Sequence, residues 1–186
     1  MGDKIYNVLF LCAHDAARGI MAEAILNRIG DGRFAAFSAG SFPQDDLHDE
    51  TVTMLEKLDY DVSTLYSKPW DAFAEPGAPE MDFIFDMCDP AAGEPCPVWP
   101  GQPMTAHWSV PAPDAIEADG AEAGLRLAEI YRELHNRIRL LVNLRVDALD
   151  RLALQHELET IGSPHITSPD GPRSSRRPAA PACRAG

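Results

Sequence analysis

Cys12 and Arg18 stand six positions apart, separated by Ala13, His14, Asp15, Ala16 and Ala17 and followed by Gly19. Before them runs an apolar stretch, Ile5 to Leu11, and after them the amphipathic stretch Ile20 to Ile29. A cysteine at the carboxyl end of a strand, with an arginine opening the next helix, has a specific chemical use. The intervening residues suffice to wrap a loop whose backbone N–H groups converge on one point. The helix dipole adds partial positive charge there, so a tetrahedral anion fits. The planar fork of Arg18 can clamp two of its oxygens. The same field is expected to lower the thiol pKa of Cys12 and make it a nucleophile. Arginine at a helix amino terminus is otherwise electrostatically disfavoured, and an anion supplies the reason for it.

These residues carry a resemblance. The cysteine-to-arginine spacing directly after a first strand, followed by Ile20-Met21-Ala22-Glu23-Ala24-Ile25-Leu26, resembles the low-molecular-weight protein tyrosine phosphatase superfamily, and within it the thioredoxin-coupled arsenate reductases. Three further stretches resemble that group: Ser67 to Asp71, Met87 to Gly101 and Thr105 to Trp108. The resemblance covers roughly residues 4 to 161. It implies that Cys12 attacks arsenate, that Cys88 attacks the resulting adduct and releases arsenite, and that Cys96 resolves the disulfide. An external thiol reductant such as thioredoxin then restores the pair. Residues 13–17 and 19 (Ala13, His14, Asp15, Ala16, Ala17, Gly19) correspond to the oxyanion-binding loop, the ligand being arsenate or a phosphate-like oxyanion. No cofactor and no metal are expected, and the Cys88 to Cys96 spacing is not a zinc pattern. Cys183 matches no family position. His14, Trp99, His107 and Trp108 are read as solvent-facing or packing residues rather than catalysts.

The chain departs from the family pattern at four places. Asp15 stands where the family has asparagine, Ala16 and Gly19 where it has serines. Asp15 can adopt a left-handed backbone but brings negative charge toward an anion, and Gly19 offers no hydroxyl to a Cys12 thiolate. The family's general acid, an aspartate before proline, is replaced by Ala112, and Asp114 lies two positions beyond as a displaced acid. Loss of a placed proton donor typically costs roughly 10² to 10⁴ in rate. Phosphate esters, with poor leaving groups, suffer more from that loss than arsenate. Three readings therefore stand: arsenate reduction slowed by these substitutions, a low-molecular-weight phosphatase acting on phosphotyrosine or small phosphoesters, and an oxyanion-binding or interaction protein without turnover.

The elements that must position these residues follow from pattern. Arg33 to Gly40 reads as a second strand, Met81 to Met87 as a third and Met104 to Val110 as a short fourth. Cys88 then falls at the same sheet edge as Cys12, where open α/β sheets bind ligands. Helical spacing marks Leu47 to Leu58, one or two turns in Pro69 to Ala74, and a long helix over Glu122 to Asn143. A last helix, capped by Asp147, carries Leu149, Leu152, Leu154, Leu158 and Ile161, with Gly162 after its end. Residues 89 to 103 are Pro-, Gly- and Ala-rich and read as a loop able to carry Cys96 to Cys88. The expected fold is α/β, a three-layer sandwich with a small four-stranded parallel sheet in order 2-1-3-4 and helices on both faces. One domain spans residues 1–162, and the Pro-, Arg- and Ser-rich tail 163–186 cannot bury a core.

The formal charge of −13 argues against nucleic acid or anionic membrane as partners, and it makes a local positive site for an anion more necessary. The amino terminus lacks a signal pattern and no apolar run reaches the length of a membrane span, so a cytoplasmic location is expected. In a reducing compartment four cysteines are reactive or free thiols rather than two disulfides.

Overall fold

The computed structural model describes residues 4–87, 99, 101–111 and 121–163. Four strands, β1 (Tyr6–Cys12), β2 (Phe34–Gly40), β3 (Phe83–Asp86) and β4 (Met104–His107), form one sheet in the order β2-β1-β3-β4. Every pairing is parallel, with Cys12 opposite Gly40, Leu11 opposite Asp86 and Asp86 opposite His107. The expected strand order is therefore observed. Parallel pairing requires crossovers, and the chain also forms helices α1 (Arg18–Ile29), α2 (Asp49–Lys57), α3 (Ala121–Asn143) and α4 (Arg151–Gly162).

Side-chain alternation divides the core in two. Tyr6, Val8, Phe10 and Cys12 of β1, with Phe83 and Phe85 of β3, belong to the larger cluster against α1, α3 and α4. Leu9, Leu11, Ala39 and Ile84 face the other way and meet Phe73, Met81 and Trp99. Among the described residues that second face is covered by the 3₁₀ helix Trp70–Phe73, which is the turn expected after Pro69. Trp108 anchors the larger cluster: it is fully buried, stacks on Phe85 at 4.0 Å between centroids, and donates from Nε1 to Leu158 O at 3.1 Å.

Several local expectations need correction. α1 is not amphipathic; Gly19 to Leu26 are all buried because it lies between the sheet and α3. α4 is capped by Asp150, whose carboxylate accepts from Ala153 N at 2.9 Å, while Asp147 sits in a separate 3₁₀ turn, Val146–Ala148, and accepts from the Tyr6 hydroxyl. Leu152 is consequently 81% exposed rather than on the packed face. β3 and β4 are also shorter than the apolar runs that announce them, since Met81, Met87, Trp108 and Val110 are buried beyond the ladder. The tail from 164 onward and most of the 89–103 stretch lie outside the described residues.

Candidate active site

β1 delivers Cys12 to the carboxyl edge of the sheet, and the chain then turns through Ala13 to Ala17 into α1. The turn is possible because Asp15 adopts a left-handed backbone, φ 47°, which Asp tolerates better than most residues. The loop's carbonyls face outward. Ala13 O accepts from Phe42 N at 2.8 Å, His14 O from Gln44 N at 3.2 Å and Ser67 Oγ at 3.2 Å, and Ala16 O from His48 N at 3.1 Å. With the carbonyls turned away, the N–H groups of Asp15 and Gly19 are directed at the Cys12 sulfur. α1 has no side-chain cap at Ala17, so the donors of its first turn serve the loop.

β2 supports this loop from beside it. A Cβ on Gly40 would lie 2.7 Å from Ala13 O and 3.0 Å from Asp15 N, so the close approach of the two backbones requires glycine there. Gly40 N in turn donates to Lys68 O at 2.8 Å, which brings the Ser67–Pro69 segment under the loop.

Arg18 is half-buried and fixed. Its Nη1 donates to Met87 O at 2.9 Å and to Val110 O at 2.8 Å, the carbonyls just beyond β3 and β4. The guanidinium is thus held at the carboxyl ends of two strands, β3 and β4, instead of free in solvent. It is Arg137, on α3, that completes this corner. Only 1% exposed, it donates from Nη1 to Ser109 O at 3.1 Å and pairs with Glu133. Two arginines therefore grip neighbouring carbonyls of one segment. The sequence reading missed Arg137, although a charged residue between Leu134, Ile138 and Leu141 on an otherwise apolar helix face was a visible signal.

A buried polar cluster lies beneath the loop. Lys68 Nζ pairs with Glu23 Oε2 at 3.1 Å, and the Ser38 hydroxyl donates to that same oxygen at 2.6 Å. Lys68 N donates to Asp15 Oδ2 at 2.9 Å. Asp15 is 0% exposed, and its Oδ1 has no hydrogen-bond partner. Burial pushes its carboxyl up to about 7, against the opposing influence of the Lys68 amide, Ser38 and the Lys68 charge.

The expected acidity of Cys12 is corrected. Burial, and next the Asp15 charge, push the thiol up to about 11, although Arg18 and the N–H groups of Gly19 and Asp15 pull it down. The loop donors act as expected; a desolvated sulfur beside a carboxylate outweighs them. Gly19 also acquires a steric reason, since a Cβ there would meet Asp15 Oδ1 at 2.6 Å and Cys12 Sγ at 3.1 Å.

His14 is exposed, its Nδ1 3.4 Å from Phe42 O. Trp99 and Trp108 are buried packing residues, as the sequence implies. Ala13, Ala16 and Ala17 form the loop wall, the latter two buried. Cys88, Cys96, Ala112, Asp114 and Cys183 lie outside the described residues. Among the described residues no cluster of three or more His, Cys, Asp and Glu could hold a metal ion, and no helix is long and apolar enough to cross a membrane.

Residues 7–153 match the family of low molecular weight phosphotyrosine protein phosphatases. The chain belongs to that family. It is 28% identical over 107 residues to the glutaredoxin arsenate reductase of Synechocystis, an alignment spanning 58% of this chain and 78% of that protein. Its fold is similar to that of the thioredoxin-dependent arsenate reductase of Corynebacterium glutamicum, at TM-score 0.54 and 25% identity. That match covers 76% of this chain but 62% of the Corynebacterium protein, so it spans under two thirds of that relative. The low molecular weight phosphatase of T. tengcongensis has the same fold at TM-score 0.55 and 21% identity, over 74% of this chain and 97% of that one. The loop from Cys12 to Arg18 lies within the residues matched to this phosphatase family.

Proposed function

We propose that the protein reduces arsenate to arsenite through three cysteines. The observation that supports this most directly is the 2.9 Å contact from Arg18 to Met87 O, because Met87 immediately precedes Cys88 in the chain. The residue before the second thiol thus touches the arginine of the loop that begins at the first. The names of the Synechocystis and Corynebacterium relatives support the same reaction.

In this reading arsenate binds against the loop N–H groups and Arg18. The Cys12 thiolate attacks arsenic and an oxygen leaves as water. Cys88 then attacks the Cys12 sulfur, a Cys12–Cys88 disulfide forms, and the sulfur–arsenic electron pair passes to arsenic, releasing arsenite. Cys96 attacks Cys88, which frees Cys12 as thiolate and leaves a Cys88–Cys96 disulfide. An external thiol reductant supplies the two electrons that reopen it. Such a cycle suits a reducing compartment such as the cytoplasm. The names of the two relatives specify different reductants, glutaredoxin and thioredoxin, so both types belong in the assay.

Arsenate-dependent turnover is expected with a thioredoxin or a glutaredoxin system, and Cys12→Ser and Cys88→Ser are each expected to lower it by at least about 10³. Undiminished turnover in Cys88→Ser would remove the relay. A second reading, hydrolysis of phosphate monoesters, draws on the family match. Aryl phosphate hydrolysis lost in Cys12→Ser but indifferent to Cys88→Ser, without arsenate reduction, would establish it. That route calls for a proton donor, with Asp114 as the displaced acid in place of Ala112.

A further inference from the structure

The carboxyl of Asp15 is not used by the mechanism above, yet it faces the nucleophile. Its Oδ1 lies 2.6 Å, and the Cys12 sulfur 3.1 Å, from the point where a Cβ on Gly19 would sit. Carboxyl oxygen and sulfur therefore border the same small space, which the glycine leaves unfilled. Oδ1 is buried and has no hydrogen-bond partner.

The groups around it offset its burial only in part, and the Glu23 charge adds to it. Lys68 reaches Asp15 through its backbone N–H, while its ammonium is paired with Glu23 of α1 at 3.1 Å. Arg18, also on α1, is fastened to Met87 O and Val110 O. Ser38 of β2 donates to Glu23. His14, in the loop, is exposed with its ring toward Phe42 O, and His48, before α2, turns its ring to Thr51. Ionised Asp15, ionised Cys12 and a bound dianion would together crowd three centres of negative charge into one desolvated loop, where repulsion is far stronger than in water.

We propose that Asp15 is a positioning residue that ties the loop's chemistry to one proton: with its carboxyl protonated the loop holds a tetrahedral oxyanion beside Cys12, and with its carboxyl ionised it rejects the anion and disfavours ionisation of Cys12. Binding above neutrality therefore takes up one proton from solvent onto Asp15. The carboxyl, pushed up to about 7 by burial, changes charge in the neutral range, and its charge is the second-largest influence raising Cys12. This inference rests on the oxyanion-loop reading of residues 12–19, not on arsenate as the substrate.

Sulfate tests it, because sulfate stays doubly charged across pH 5.5–8.5. Calorimetric titration of the full chain is expected to show affinity that is level below about pH 7 and falls by up to about tenfold per pH unit above it, with one proton taken up. Asp15→Asn is expected to bind with the low-pH affinity throughout, without that slope. His14→Gln, which replaces the imidazole of the loop, is expected to keep the wild-type slope whatever its affinity. Alkylation by iodoacetamide, read by mass spectrometry on the Cys12 peptide alone, is expected to be about tenfold faster at pH 8 in Asp15→Asn. Asp15→Ala removes the same charge and replaces that variant if it does not fold. A slope retained in Asp15→Asn, or lost in His14→Gln, would overturn the proposal. Failure of sulfate to bind any of these proteins at any pH would instead overturn the oxyanion-loop reading beneath it.

Discussion

Asp15 shows how one side chain can set conditions for a whole site. Its carboxyl has one satisfied oxygen and one without a partner, in a place where ionisation is penalised. The folded-state pKa, about 7, lies above the ordinary 3.8, so the folded protein favours the protonated form. Its contribution is fully present below about pH 4 and is lost as pH rises toward 7. Asp15→Asn, which keeps an acceptor for Lys68 N, is expected to be more stable than wild type at pH 8, by on the order of 2 kcal/mol. Thermal melts across pH should show that difference shrinking to nothing by about pH 4. A constant difference at every pH would mean that the carboxyl is not desolvated as described. Glu23 and Lys68, by contrast, are a buried pair whose value lies in holding each other; removing either partner leaves an uncompensated charge.

At the scale of elements, the loop is held more by its neighbours than by itself. β2 ends on Gly40, the strand-end glycine against which the loop backbone rests. Gly40→Ala would place a methyl 2.7 Å from Ala13 O, and the loop has to move because the obstacle is backbone. We expect sulfate affinity to drop at least about tenfold with a stability loss of about 1–3 kcal/mol; chemical denaturation beside calorimetry separates the two. Unchanged affinity would show that the loop can shift without losing its donors. The ends of β3 and β4 contribute in a different way, offering Met87 O and Val110 O to Arg18 while α3 reaches Ser109 O with Arg137. Arg18, the proposed anion ligand, is thereby pre-positioned, and the entropy of fixing it is spent in folding rather than in binding.

Across the whole molecule, one aromatic stack joins the site's strands to the helical layer. Phe10 of β1, Phe85 of β3 and Trp108 after β4 lie in sequence, and Trp108 continues to α4 through Leu158 O. Trp108→Ala is expected to cost about 3–5 kcal/mol, measured by denaturant unfolding, since it removes a fully buried ring and its hydrogen bond to Leu158 O. Loss below about 1 kcal/mol would mean the layer collapses around the gap. Much of this architecture was readable from the chain, because strand alternation, helix spacing and the Cys12-to-Arg18 interval are local properties. They fixed β1, the loop and α1, and with the parallel crossovers they settled the strand order. The left-handed bend at Asp15 was equally local. What spacing could not supply was the company each charge keeps. Lys68 and Ser38 come from other parts of the chain to meet Glu23, and Arg137 lies 28 positions past the carbonyl it holds. The acid–base character of Cys12 and Asp15 depends on that company and on exclusion of water, and both arise only when distant segments close over the loop.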